Sequence, residues 1–375
     1  MHILITGADG FIGRNLRLRV AEQAGWTVTP WTRHSVPESL RSAVDQADVV
    51  VHLAGVNRPK DVSEFQIGNV DFTVSLCEAL AQAAAASNHR PRLILTSSTQ
   101  ADRGNPYGES KKAAEASMRS LAQAHGHALH VFRLPNVFGK WCRPHYNSAV
   151  ATFCHQIARD LPIEVHDPSA VLQLIHVDDV IDRFLALVDG AAPQPDALGF
   201  ETAGPVYNST VGGVADTIRA FRRSRDTGVI GTVGHGLGRA LYATYVSYLP
   251  VEVFDYPLVR HEDPRGVFVE MLMTQDSGQF SYFTAHPGVT RGGHYHHAKT
   301  EKFLVIQGKA RFRFRHMLTG QAHEIHTTAE SPRVVETVPG WTHDITNTGD
   351  GLMVVMLWAN EIFDRTRPDT ISAAL

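Results

Sequence analysis

Cysteine is scarce: the 375-residue chain holds three, Cys77, Cys142 and Cys154, none in a Cys-x-x-Cys pair. A disulfide framework is excluded, and the count suits a reducing compartment. An excess of one charge is also missing. The 35 Lys and Arg stand against 38 Asp and Glu, a formal net charge of -3. No broad cationic surface follows, so neither nucleic acid nor an anionic membrane is an expected partner. There is no run of about 18 apolar residues. Met1 leads at once into the strand-like residues 2–5, with no basic, apolar and cleavable leader pattern. The expectation is a soluble, cytoplasmic protein. At 43% hydrophobic and 19% charged residues, the composition is ordinary globular. Its length, divided by roughly 150 per domain, gives two or three domains.

The first half alternates short apolar runs with helical patterns, as βαβ units around a parallel sheet do. Strands are expected at His2–Thr6, Thr27–Trp31, 48–53, 92–96 and 129–133, and helices at 11–24 and 69–86. After about Val246 short alternating strands take over, clearest at 310–315 (Ala-Arg-Phe-Arg-Phe-Arg), with Gly, Pro, Asn and Asp between them. The chain therefore divides into a domain over 1–246, a linker over 247–256 and an all-β domain over 257–375.

Strand one runs into Thr6-Gly7-Ala8-Asp9-Gly10-Phe11-Ile12-Gly13 and then a helix. Gly7 permits a tight turn, Gly10 lets the backbone approach a pyrophosphate, and Gly13 allows close helix–strand packing. The helix N-terminus adds amide donors for phosphate. About twenty residues on, where an acidic side chain would bind the ribose of NAD, stands Arg33, with no carboxylate between Gly25 and Pro37. An arginine there holds the 2′-phosphate of NADP, so NADPH is the expected cofactor. Further along, Tyr107 and Lys111 sit four apart, on one face of a helix that Asn105 caps and Pro106 begins. A cation beside a phenol lowers its pKa and makes it a usable acid or base. The preceding strand ends in Ser97 and Ser98, which offer a hydroxyl to a carbonyl oxygen.

These pieces resemble the extended short-chain dehydrogenase/reductase family, especially its nucleotide-sugar members. The matching residues are Thr6-Gly7-x-x-Gly10-x-x-Gly13, His52-Leu53-Ala54-Gly55, Asn69-Val70, Ser97-Ser98, Tyr107-x-x-x-Lys111, Arg133-Leu134-Pro135-Asn136-Val-Phe-Gly139 and His176-Val-Asp178-Asp179-Val180. The resemblance implies a Rossmann-like parallel sheet, with Tyr107 as proton donor, Lys111 on the nicotinamide ribose and Ser98, or alternatively Thr99, polarising the carbonyl. It also implies cofactor contacts from Gly7, Gly10, Phe11, Ile12, Gly13, Arg33, Leu53, Ala54, Gly55, Lys111 and Leu134, and a substrate contact from Asn136. Two departures matter. Only eight residues separate Ser98 from Tyr107, so the intervening loop is trimmed. Sugar 4,6-dehydratases of the family follow the hydroxyl residue with an Asp-Glu pair, where this chain has Thr99 and Gln100. Dehydration thus lacks its acid and base, which leaves carbonyl reduction.

In the second half Gly288, His294, His296, Glu301 and Gly308 form one spaced string, and Pro339-Gly340-Trp341-Thr342-His343-x-x-x-Asn347 a second. Residues i and i+2 of a strand share a face, so His294 and His296 can point into one interior, with His297 facing outward. Three imidazoles and a carboxylate suit zinc or another divalent transition metal. The two-part pattern resembles the cupin superfamily, which implies an all-β cupin barrel with His294, His296, Glu301 and His343 as metal ligands. Upstream, Asp263-Pro-Arg265-Gly266 resembles a segment of cupin-type keto-sugar epimerases. Two readings of Arg265 stay open, a substrate contact and a polar turn held by Gly266.

Over nearly its whole length the chain resembles bifunctional epimerase/reductases of capsule and O-antigen synthesis. That likeness implies a UDP-linked 4-keto amino sugar as substrate, a homodimer, C3 epimerisation by the cupin and then NADPH-dependent reduction at C4. No base for the C3 proton is evident. His297, Lys302, Asp344 and Tyr295 lie near the cage in sequence, and none is assigned. Two rivals are a reductase whose cupin serves only dimerisation or ligand sensing, and a 4-epimerase that retains its nicotinamide.

Overall fold

In β1 (His2–Thr6), Ile3 and Ile5 point to one face of a parallel sheet and Leu4 to the other. The same alternation runs through β2 (Thr27–Trp31), β3 (Val49–His52), β4 (Arg92–Ser98) and β5 (Leu129–Leu134). Val51, Ile94 and Phe132 join Ile3 and Ile5 in one core; Val50, Leu93, Leu95 and Val131 join Leu4 in the other. Helices cover both faces, which is why these strands read as continuous apolar runs. The order is β2-β1-β3-β4-β5, all parallel, so the chain reverses its winding between β1 and β3. Ligands of such sheets bind in the crevice at that reversal, beyond the carboxyl ends of the strands. A smaller sheet pairs β6 (Asn136–Phe138), β7 (Val171–His176) and β8 (Tyr207–Thr210).

This computed structural model describes residues 1–254, 256, 258–296, 299, 301–317, 320–337, 341–366 and 368–375, with no side-chain description at 251, 260 and 336. His297, Pro339 and Gly340, named in the sequence patterns, lie outside the described residues. The chain resolves into two compact units. One comprises Met1–Ile218 with Ala240–Leu249, the other Arg219–Arg239 with Pro250–Leu375.

The second unit begins with β9 (Val229–Ile230), β10 (Arg260–Asp263), β11 (Gly266–Thr274), β12 (Gly278–Ala285), β13 (Thr290–Tyr295) and β14 (Glu301–Gln307). It continues with β15 (Lys309–His316), β16 (Ala322–Thr328), β17 (Val334–Glu336), β18 (Trp341–Asn347), β19 (Met353–Ala359) and β20 (Ile371–Ser372). One sheet runs β10-β11-β12-β19-β14-β17, with β9 beside β11, and the other β16-β15-β18-β13-β20. Apart from the parallel β9–β11 pair, the pairing is antiparallel. Phe283, Phe303, Phe312, Phe314, Ile345 and Val355 form the core of this unit. In β15, Ala310, Phe312 and Phe314 are buried while Arg311, Arg313 and Arg315 alternate with them on the more exposed side. An α/β parallel sheet followed by a unit of mostly antiparallel strands matches the fold class that the sequence led us to expect. Among the described residues no helix is long and apolar enough to cross a membrane.

Candidate functional site

β1 ends at Thr6, whose Oγ1 lies 2.6 Å from His52 Nδ1 and accepts from the amides of Leu53 and Ala54, each at 3.2 Å. These bonds tie the end of β1 to the loop after β3. Gly7 then turns at φ +67°, and a Cβ there would stand 2.8 Å from the Ala54 nitrogen. Conformation and space both require glycine. The Gly10 amide donates to the Gly7 carbonyl at 2.9 Å, and Gly10 caps the helix Phe11–Ala21 without a side-chain bond. The first-turn amides, including those of Phe11, Ile12 and Gly13, therefore have no partner within the helix and face a position suited to phosphate. Gly13 packs so closely that a Cβ would collide with Gly7 and Ala8. The donor set and this cradle fit a dinucleotide. β2 runs beside the turn, since Thr6 pairs with Trp31 and the Ala8 amide donates to the Trp31 carbonyl at 3.2 Å. Arg33, exposed two residues past Trp31, is thereby brought to the rim of the same crevice.

The expected cap forms. Asn105 Oδ1 accepts from the Gly108 amide at 2.8 Å, with Pro106 opening the helix Pro106–His125. Ser98, at the end of β4, stands close enough to the Tyr107 phenol to draw its pKa down, and its Oγ accepts from the Gln100 amide at 3.1 Å. Lys111, 8% exposed, donates from Nζ to the Thr96 carbonyl at 3.0 Å and borders Gly55. Its burial lowers it from 10.5 to about 8. The Tyr107 phenol departs from the sequence expectation. Burial pushes it up, against the pull of nearby Ser98, so desolvation outweighs any help from the neighbouring cation. Leu134 is buried opposite Ser98 in the β4–β5 register, and its carbonyl accepts from the Thr99 amide at 3.2 Å. Asn136 is exposed on β6, with its side-chain amide donating to Gln173 on β7 at 3.0 Å.

A charged network beneath this site escaped the sequence reading. Glu115, one turn beyond Lys111, accepts from Ser97 Oγ and from Arg133 at 2.9 and 2.8 Å. Arg133 also pairs with Asp102 and lies 4.0 Å over the Phe200 ring. The network fixes the end of β4 against the helix that carries Tyr107. Its one sequence signal is the Lys111–Glu115 spacing.

In the second unit the four expected ligands converge, their ligand atoms all within 4.8 Å of one another. His294 on β13 and His343 on β18 come from one sheet, His296 from just past β13, and Glu301 from the start of β14 in the other sheet. His296 Nε2 is 3.2 Å and His343 Nε2 3.6 Å from Glu301 Oε2. Nδ1 of His296 meets the Asp369 carbonyl, and Nδ1 of His343 lies 3.4 Å from the Trp341 carbonyl. A neutral ring whose Nδ1 donates to a carbonyl presents Nε2 as a lone pair, so both rings can offer Nε2 to a cation in the cage in place of the His296–Glu301 bond. Buried His343 Nε2 has no hydrogen-bond partner among the described residues. A divalent cation would satisfy these converging lone pairs, so the residues fit a metal. Burial, chiefly, and then His343 lower His294 to about 4. Burial alone would push Glu301 up, but the His296 bond, the approach of His343 and the Lys299 charge hold it well below the usual carboxylate range.

Lys299, buried with Nζ 3.0 Å from Glu301 Oε1, was missed by the sequence reading, which weighed Lys302 instead. Lys302 is exposed, next to Glu301 and so on the opposite face of β14. Asp344 is held by Arg313 on the face opposite His343. All described hydrogen bonds of the Arg265 side chain go to Asp263, 2.6 Å at the closest, and the Arg265 carbonyl accepts from the His286 amide at 3.2 Å. These bonds hold a turn, and the exposed guanidinium keeps both readings in place.

Residues 3–198 match the NAD dependent epimerase/dehydratase family, and residues 261–371 the polysaccharide biosynthesis C-terminal domain. A UDP-2-acetamido-2,6-beta-L-arabino-hexul-4-ose reductase from Pseudomonas aeruginosa is 54% identical over 376 residues, covering 100% of this chain and 99% of that protein. Among solved structures, the capsular polysaccharide assembling protein CapF from Staphylococcus aureus superposes with a TM-score of 0.91 at 40% identity, covering 100% of both chains. UDP-glucuronic acid 4-epimerase from Bacillus cereus, in complex with NAD, has a TM-score of 0.52 at 17% identity over 66% of this chain and 98% of its own. That last likeness is one of fold alone.

Proposed function

Because the chain belongs to the NAD dependent epimerase/dehydratase family and carries a polysaccharide biosynthesis C-terminal domain, we propose that it is a bifunctional nucleotide-sugar enzyme of capsule or O-antigen synthesis. Its substrate is a UDP-2-acetamido-2,6-dideoxy-4-ketohexose. The second unit epimerises C3, and the first then reduces the C4 ketone with NADPH to UDP-N-acetyl-6-deoxy-L-talose, a step toward UDP-N-acetyl-L-fucosamine. The observation that carries this reading is the pairing, in one chain, of a Ser98–Tyr107–Lys111 site lacking dehydratase carboxylates with a His294–His296–Glu301–His343 cage. The order of steps follows from the chemistry. The C4 ketone acidifies the C3 hydrogen, and that acidity is lost once the ketone is reduced.

In the reductase site Ser98 and Tyr107 hold the C4 oxygen, and Tyr107 passes its proton to it. A phenol raised by burial remains protonated until the carbonyl oxygen gathers charge. Lys111 binds the nicotinamide ribose, and Arg33 selects the 2′-phosphate. NADPH, when bound, supplies the hydride. His294, His296, Glu301 and His343 would hold a divalent metal, with zinc favoured by the imidazole-rich set, and when bound it would supply Lewis acidity or brace the barrel. Asn136 and Arg265 stand as proposed substrate contacts, and the working molecule is a homodimer in the cytoplasm.

The test separates the two activities. Tyr107→Phe protein in D2O, without NADPH, should place deuterium at C3 of the 4-keto sugar. His294→Ala with His296→Ala should lose that exchange and still reduce an already epimerised ketone, provided circular dichroism and sizing show an intact fold. If folded Tyr107→Phe protein shows no exchange above the spontaneous rate, the second unit is not an epimerase.

A further inference from the structure

We propose that Phe65 is a positioning residue of the reductase, set by a π-helical turn so that its ring holds the Tyr107 phenol in place for proton transfer. This inference rests on the reading of Tyr107 as the proton donor. Past the loop that follows β3, Asp61 Oδ1 accepts from the Ser63 amide at 2.8 Å, and Glu64 Oε1 accepts from the amides of Lys60 and Asp61 at 3.1 and 3.2 Å. These bonds satisfy the donors at a helix start. Ser63–Phe65 is α-helical, Gln66–Asp71 is π-helical, and the α-helix resumes over Phe72–Ser87.

A π-turn takes in one residue more than an α-turn, is rare, and is found frequently at functional sites. Here side chains hold it open. Gln66 Nε2 donates to Asp71 Oδ1, five residues on, at 2.7 Å. Buried Asn69 accepts from the Val56 amide at 2.6 Å, and its Nδ2 donates to the Val56 carbonyl at 3.1 Å and to Ser110 Oγ at 2.9 Å. The Asn69 carbonyl in turn accepts from Thr73 Oγ1 at 2.7 Å. Ser110 lies between Tyr107 and Lys111 on the helix Pro106–His125. Asn69 thus ties the turn to the helix that carries the acid. The extra residue of the turn changes the face on which Phe65 stands relative to that tie.

The result is a ring pair. The Phe65 and Tyr107 centroids lie 5.7 Å apart with the planes at 52°, a tilted contact between two half-buried rings. The Phe65 side chain has no polar atom, so it neither gives nor takes the proton. It limits the swing of the phenol and keeps water from that side of it. A misplacement of about 1 Å is enough to slow a reaction by about a hundredfold. Ile67, in the same turn and 62% exposed, is the control.

The experiment follows reduction of the already epimerised UDP-linked 4-ketone by NADPH, in H2O and in D2O. Phe65→Ala should lower kcat by about tenfold and leave the KM of the ketone unchanged. It should also raise the solvent isotope effect on kcat, because a loosely held acid makes proton transfer the slower step. Phe65→Tyr, which keeps the ring, should restore kcat and the isotope effect, and Ile67→Ala should show native values. Native kcat in folded Phe65→Ala overturns the proposal. So does a lower kcat with a native isotope effect, the mark of a smaller active fraction, and so does an equal loss in Ile67→Ala. Phe65→Leu, which keeps apolar bulk without the flat ring, carries the same expectations should Phe65→Ala fail to fold. If Tyr107→Phe turns over at the native rate, the reading of Tyr107 as proton donor is what fails.

Discussion

His294 and His343 stand directly opposite each other across β13 and β18, with ring centroids 4.7 Å apart. A bulge puts them there. Gly292 pairs with Asp344 and His294 with His343, so Gly293 is the extra residue, at φ +78°. Without it Gly293 would face His343, and His294 would turn to the outer side that Asp344 occupies. Gly293→Val should therefore weaken the cage without touching a ligand. The left-handed conformation costs a β-branched residue about 1–2 kcal/mol, so metal affinity should fall by about tenfold. Metal content after dialysis against a competing chelator measures this. Native-like retention would show that the bulge does not set the ligand register.

Tyr107→Phe removes the proposed proton donor but keeps the ring, which lies 5.7 Å from that of Phe65. Ketone-dependent NADPH oxidation should fall by at least about a hundredfold, the usual contribution of a general acid. Turnover close to native would place the acid elsewhere.

Arg33→Asp should move cofactor preference from NADPH toward NADH, because the carboxylate repels a 2′-phosphate and accepts from a 2′-hydroxyl. The ratio of kcat/KM for the two cofactors reports it. Equal use of both by the native protein would remove the argument from Arg33.

Burial of Lys111 gives the cofactor-free protein a pH signature. The ammonium titrates at about 8 in the fold against 10.5 in the open chain. Between those values the unfolded chain binds more protons here, so stability rises with pH across the window. Lys111→Met should flatten that rise, as followed by urea unfolding of both proteins at about pH 8 and about pH 10. A native profile no steeper than that of the variant would contradict the burial penalty.

The features set by local pattern were legible in the sequence. β1 and β2 span the residues that their apolar runs indicated, and the Asn105 cap opens its helix where expected. His294 and His296 were legible as a pair because i, i+2 spacing on a strand fixes a shared face, and Glu301 and His343 joined them through the cupin resemblance. What depends on distant pairing was not. No local pattern shows that Glu115 closes on Ser97 and Arg133, or that Gly293 shifts the register of a strand against one that follows much later. Lys299 was overlooked beside Lys302 because it stands outside β14, where strand period assigns no face. The Tyr107 shift was misjudged because spacing shows a neighbouring charge but not the depth of burial.

The division of the chain has a practical side. Residues 219–239 belong to the second unit, while 240–249 return to the first. Strand β9 comes from the earlier of these stretches and pairs with β11 through Val229 and Ile230. The polypeptide thus crosses between the units three times, and no single scission yields both whole. A cut near residue 250 strips β9 from its sheet and leaves it dangling from the other fragment. Expressing the halves separately would require regrafting 219–239 onto the C-terminal piece and bridging 218 to 240 in the N-terminal one.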